Sequence, residues 1–215
     1  MKKNQRSNKQ DLLKIIGILT MLVDHLGWVF FPQYIFLHAV GRLAMPIFSA
    51  GIAFGYQKTA NFRKYFFYLV VFGLISQIPY DLLWTFEQIN IIFGLALSLF
   101  LLYLVDNKKY LLAIGIFTLS IVLPFEFGWY LPLTTLIFFK FGHDKKLAFS
   151  LLTLITFVYS SQIRVPYQIF SLVGFYLILF MPEIKRSFRL NKFIFYFFYP
   201  VHLFILYFIS KWLLV

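Results

Sequence analysis

Asp24 and His25 sit side by side in LLKIIGILTMLVDHLGWVFF, a run otherwise apolar enough to cross a bilayer. An ionisable group at the centre of a membrane costs ~3 kcal/mol or more, so such groups face a protein interior or a watery cavity and mark functional sites. A histidine beside an acid suits proton transfer near neutral pH. Other polar residues recur at helical spacing. His38 and Arg42 are four apart and share a helix face, as do Gln77 and Asp81. Asn90 opens a later apolar run, with Gly94 and Ser98 on its face, and His202 follows Tyr199 by three in the last run.

Acyl transfer is the chemistry that fits this set. His25 would take the proton of an amine or hydroxyl attacking a thioester, with Asp24 as its orienting partner or as the counter-ion of Arg42. Arg42 would hold a phosphate or the developing oxyanion. The chain has neither a GxSxG turn nor any cysteine, so direct transfer is simpler than an acyl-enzyme. His38, Asp81, Asn90 and His202 are expected on the acceptor side. A blander alternative is polar glue, pairing Asp24 with Arg42 and Asp81 with His38 at ~1 kcal/mol each. No metal is expected, because the histidines lie on separate runs without HExxH-like spacing and Arg42 would repel a cation.

The elements that must position these residues are membrane helices. Charged residues are 13% of the chain and hydrophobic ones 61%; a soluble domain carries about twice that charge. The expectation is an all-α integral membrane bundle, one domain over 12–215 behind a basic tail, 1–11. Reading apolar runs between breakers gives nine segments, 12–31, 34–56, 65–83, 89–105, 110–125, 129–141, 147–161, 165–181 and 193–214. The sixth and seventh are short. With the N-terminus inside, every one of the 20 basic residues except Arg42, Arg164 and Lys211 falls at the inner side. That makes the net charge of +12 a record of orientation and not a nucleic-acid surface. The C-terminus is then outside. The first run ends in FFPQ without a small-residue cleavage site, so it reads as a retained span. Asp24, His25, His38, Arg42, Asp81, Asn90 and His202 all sort to the outer half.

Three stretches resemble the TraX family, named for the conjugative-pilin acetylating protein: LKIIGILTMLVDHLG, FLHAVGRLAMPIFSAGIAFGYQKTANFRKY and ISQIPYDLL. NIIFGLALSLFLLYLVD and FIFYFFYPVHLFILYFI continue the likeness, and EFGWYLPL looks like a drifted glycine-tyrosine stretch. TraX proteins are similar to a wider superfamily of transmembrane acyltransferases, which carries Arg, ten residues, then His on its first span. Lys14, ten residues, then His25 has that spacing, with a lysine that keeps the charge but not the bidentate fork. The resemblance implies an acetyl-CoA (acyl-CoA) donor, an essential His25, Arg42 in the site, and a multi-pass protein of a bacterial plasma membrane. Lys14 stands eleven residues from His25, about 16 Å along a helix, where it would meet CoA phosphates. The acceptor, an exported peptide or glycan, would arrive from outside. A small transporter or flippase would also line a cavity with charge, but the halves show no repeat. A non-catalytic subunit of a secretion or conjugation system would not need Asp24, His25 and Arg42 together.

Overall fold

The fold is that of a computed structural model, which describes residues 8–84, 87–184 and 192–213. The tail residues Lys2, Lys3 and Arg6, the loop residues Lys185, Arg186 and Arg189, and the last residue of the ninth segment lie outside these. The described residues form ten α-helices: α1 (Asn8–Phe30), α2 (Ile35–Gly41), α3 (Ala44–Lys58), α4 (Phe62–Leu83), α5 (Ile91–Asp106), α6 (Tyr110–Val122), α7 (Tyr130–Phe141), α8 (Lys145–Ile163), α9 (Ser171–Phe180) and α10 (Lys192–Leu213), with a 3-10 turn at Pro166–Phe170. All nine apolar segments are helical, and the protein is an all-α membrane bundle. Five segments, Lys9–Phe30, Ile35–Lys58, Phe62–Leu83, Lys145–Ile163 and Phe193–Leu213, are long and apolar enough to cross a membrane, and the other four are shorter apolar helices.

The second segment is broken between α2 and α3. Pro46 has no N–H for the carbonyl of Arg42, four residues back, and its ring crowds that carbonyl. α2 therefore stops at Gly41, and Arg42 and Leu43 turn before α3 begins. α1 lies against α2 at contact distance because Gly27 and Gly41 face it. A Cβ on Gly41 would overlap Asp24, and one on Gly27 would reach within 2.9 Å of Leu37.

Hydrogen bonds tie the helix ends into two rims. At one rim Lys9 donates to the Met181 carbonyl (2.6 Å), Lys58 to Gln10 (3.1 Å) and Tyr56 to Asp106 (2.9 Å); this is the basic end. At the other, Ile89 and Phe125 form an isolated bridge and Trp129 donates to Gln162 (2.8 Å). Between them the core is continuous, with Leu99, Leu102, Leu131, Leu152, Phe175 and Leu203 fully buried. Several wholly buried hydroxyls return their protons to the preceding turn or to each other, as in Ser49 with Thr135 at 2.8 Å and Thr135 with the Leu131 carbonyl at 2.9 Å. α6 packs on α5 alone among the larger interfaces. Its Leu111, Ile114 and Val122 are exposed, the surface a lipid-facing helix presents.

Candidate functional site

Consecutive residues on a helix point ~100° apart, so Asp24 and His25 cannot serve the same neighbour. Asp24 points to α2. Its Oδ2 accepts from Arg42 Nη2 at 2.7 Å, and its Oδ1 lies 3.2 Å from His38 Nδ1. Arg42 also donates through Nε to the His38 carbonyl (3.2 Å) and reaches Gln168 Oε1 at 3.5 Å. The turn forced by Pro46 is what frees Arg42 to fold back on its own helix.

His25 points to α10. Its Nδ1 lies 2.7 Å from Nε2 of His202, and Nδ1 of His202 lies 2.7 Å from the Phe198 carbonyl. Trp84 meets the His25 ring edge-on at a centroid distance of 5.0 Å, and Tyr199 does so at 6.1 Å. The Tyr199 ring is buried, 4% exposed.

A chamber of about 190 Å³ opens in front of this pair, bounded by Asp24, His25, Arg42, Tyr80, Trp84, Glu126 and Tyr159. Glu126 was not among the residues singled out from the sequence for the site. The Ile89–Phe125 bridge holds it there, with its N–H on the Ile89 carbonyl (2.9 Å) and its Oε2 accepting from Ile91 N–H (3.0 Å) at the start of α5. The turn that follows puts Phe127 and Gly128 in the left-handed region, at φ 64° and 46°. Burial among protein atoms pushes the Glu126 carboxyl up to about 7, against the opposing pull of Arg42. EFGWYLPL contained the signal: an acid and a glycine between two apolar runs. Gln168, a lone amide in the apolar VPYQIF, is wholly buried beside Arg42.

The remaining residues take different places. Asn90 is fully buried and structural. It caps α5 through Ile92 N–H (3.0 Å), and its amide donates to the Gly73 carbonyl (2.9 Å) and to Gln77 (2.8 Å). Asp81 is exposed and accepts from Gln77 at 2.6 Å. It faces a groove of about 660 Å³ with Glu87 and Phe125, and that groove shares Trp84 and Gln88 with the chamber. The Asp81–His38 pairing of the polar-glue alternative does not form, because His38 is committed to Asp24; its Asp24–Arg42 pairing does.

Lys14 stands at the other side of His25, toward the basic end. Its Nζ is 3.7 Å from Asp11 and 5.0 Å from the centre of the Phe195 ring. It lines an apolar cavity of about 260 Å³ that runs past Gly51, Ile52 and Leu95 to Met21, Ile91 and Tyr199. Met21 is one helical turn before His25 and Tyr199 is its ring neighbour, so the apolar cavity ends near the histidine that lines the polar chamber. Among the described residues, no three His, Cys, Asp or Glu side chains converge as a metal-ligand group.

The TraX protein family matches the chain over residues 9–210. The chain belongs to the TraX family. An uncharacterized protein of Rickettsia prowazekii is 28% identical over 104 residues, 48% of this chain and 40% of that protein. A probable fimbrial assembly protein, FimC of serogroup H1 from Dichelobacter nodosus, is 27% identical over 227 residues, 89% of this chain and 91% of that protein. No solved structure matches the chain. The TraX match takes in every residue of the chamber and of the apolar cavity, and the FimC match covers most of the chain.

Proposed function

We propose that this TraX-family protein is an acetyl-CoA-dependent acyltransferase of a bacterial plasma membrane that modifies an exported acceptor. One observation carries the reading. His25 lines the polar chamber, and its ring neighbour Tyr199 lines an apolar cavity that Lys14 also borders.

Each side suits one substrate. The basic end attracts the phosphates of a CoA ester, and the apolar cavity suits its pantetheine arm, which would bring the thioester up to the level of Met21 and Tyr199. The chamber and its adjoining groove suit the acceptor. Asp81 and Glu87 on that groove favour a cationic group, and a peptide amino terminus is one. The fimbrial assembly relative supports an acceptor of pilus type; a glycan hydroxyl is the alternative.

In the transfer, the acceptor nitrogen or oxygen attacks the thioester carbonyl as His25 takes its proton. The tetrahedral oxyanion collapses, the carbon–sulfur bond breaks, and the thiolate takes the proton back from His25. Arg42 lines the chamber rather than the apolar cavity, so its charge serves the oxyanion and the CoA phosphates fall to Lys14. Asp24 and His38 hold Arg42 in that position.

Two substitutions divide the reading into testable halves. Lys14→Gln should weaken binding of acetyl-CoA to the detergent-purified protein. His25→Ala should leave that binding within about twofold and abolish transfer of labelled acetyl groups in vesicles, a loss on the order of 10²-fold or more. Transfer by His25→Ala at the wild-type rate would overturn the mechanism. Wild-type protein that does not bind acetyl-CoA would favour a transporter or a non-catalytic subunit.

A further inference from the structure

We infer that His202 is a positioning residue that holds His25 in one tautomer, with its proton on Nδ1 and the lone pair of Nε2 available as the base. The inference rests on the acyltransferase reading for its purpose but not for its geometry.

The Phe198 carbonyl can only accept, so His202 Nδ1, 2.7 Å away, must carry a proton. This bond is local to α10. A helical side chain leans toward the turn before it, which puts His202 over the carbonyl four residues back. With Nδ1 protonated in a neutral ring, Nε2 of His202 is an acceptor. The atom it faces, His25 Nδ1 at 2.7 Å, must then donate. The rings are within 4° of parallel with centroids 5.0 Å apart. Combined with so short a nitrogen–nitrogen contact, that is an edge-to-edge bond in one plane and not a face-to-face stack. The lone pair of His202 is therefore aimed along the His25 N–H.

Two donors are thus fixed in series, and the only ring nitrogen of the pair left over is Nε2 of His25. Among the described residues no partner is bonded to it, and His25 lines the polar chamber. A neutral imidazole in water prefers the other tautomer, with its proton on Nε2, so the native form has to be selected by a partner. Catalytic histidines usually obtain this service from a carboxylate. The adjacent Asp24 does not supply it, because its oxygens face Arg42 and His38. A second histidine, itself anchored on a backbone carbonyl, supplies it instead.

The chain has only four histidines, which makes a direct test practical. Nitrogen-15 NMR of histidine-labelled full-length protein in nanodiscs would report the protonated nitrogen of each ring. The wild type should show His25 protonated at Nδ1. His202→Phe keeps the ring volume, removes the acceptor, and should shift His25 toward the Nε2–H form. His202→Gln returns an acceptor oxygen at a similar reach and should restore the Nδ1–H form. CoA release from acetyl-CoA, with a short synthetic peptide as acceptor, should fall about a hundredfold in kcat for His202→Phe without a matching change in KM. His202→Gln should recover most of it. A wild-type His25 protonated at Nε2 overturns the inference, as does an unchanged tautomer in His202→Phe. A wild type that releases no CoA sinks the acyltransferase reading, while the spectra still decide the tautomer.

Discussion

At the scale of single residues, the helical rotation between Asp24 and His25 determines what each can do. Asp24 compensates the guanidinium of Arg42 with side chains only 13% and 12% exposed, so each charge depends on the other. Removing one partner of such a pair strands a buried charge. Asp24→Ala should lower unfolding stability in detergent by about 3 kcal/mol. The double variant Asp24→Ala/Arg42→Leu, which leaves no orphan charge, should regain most of that loss. A double-mutant cycle in denaturant would measure the coupling, and additive losses would show that the two side chains do not pair. Gln168, wholly buried, adds a neutral contact to Arg42. His25 draws its geometry from α10, and so from a residue 177 positions away.

At the scale of elements, two breaks and a few glycines place the site. Pro46 divides the second segment and turns Arg42 back; the Ile89–Phe125 bridge brings Glu126 inward from a loop. The glycines serve opposite purposes. Gly41 is needed for close approach, and a Cβ there would collide with Asp24; Gly51 faces open space with nothing within 4 Å of a Cβ. Gly41→Ala should therefore cost about 1–3 kcal/mol by pushing α2 off α1. Gly51→Phe should leave the melting temperature near that of the wild type while filling the apolar cavity. Its Kd for acetyl-CoA should rise at least about tenfold, a change of 1.4 kcal/mol. Calorimetry on the purified protein checks both, and undiminished binding by Gly51→Phe would remove the cavity from the donor's path.

At the scale of the whole molecule, the bundle has a basic end and a polar, partly acidic end, with His25 between them. The chain contains no cysteine, so single cysteines can report the side of the membrane without background. A cysteine at Lys108 should react with an impermeant maleimide only from the cytoplasmic side, and one at Lys211 only from outside. Labelling of both from one side would overturn the nine-span arrangement expected from the sequence. The helical segments, their order and the sorting of charge were legible in the sequence because they are local quantities, set by runs of apolar residues and by the lysines that end them. The buried polar residues His25, His38 and His202 were conspicuous too, since a polar side chain in such a run stands out by itself. Their partnerships were not. Asp81 and His38 looked as suited to each other as Asp24 and Arg42, and Glu126 looked like a loop residue. Asp24 and His25, adjacent in the chain, were the obvious couple. Pairing depends on which helices lie side by side and at what rotation, and no local property of an apolar helix records that. An acid and a histidine standing together inside a membrane helix can be read from one apolar run alone. That they face apart, one to an arginine on α2 and the other to a histidine on α10, follows from how the helices pack around that run.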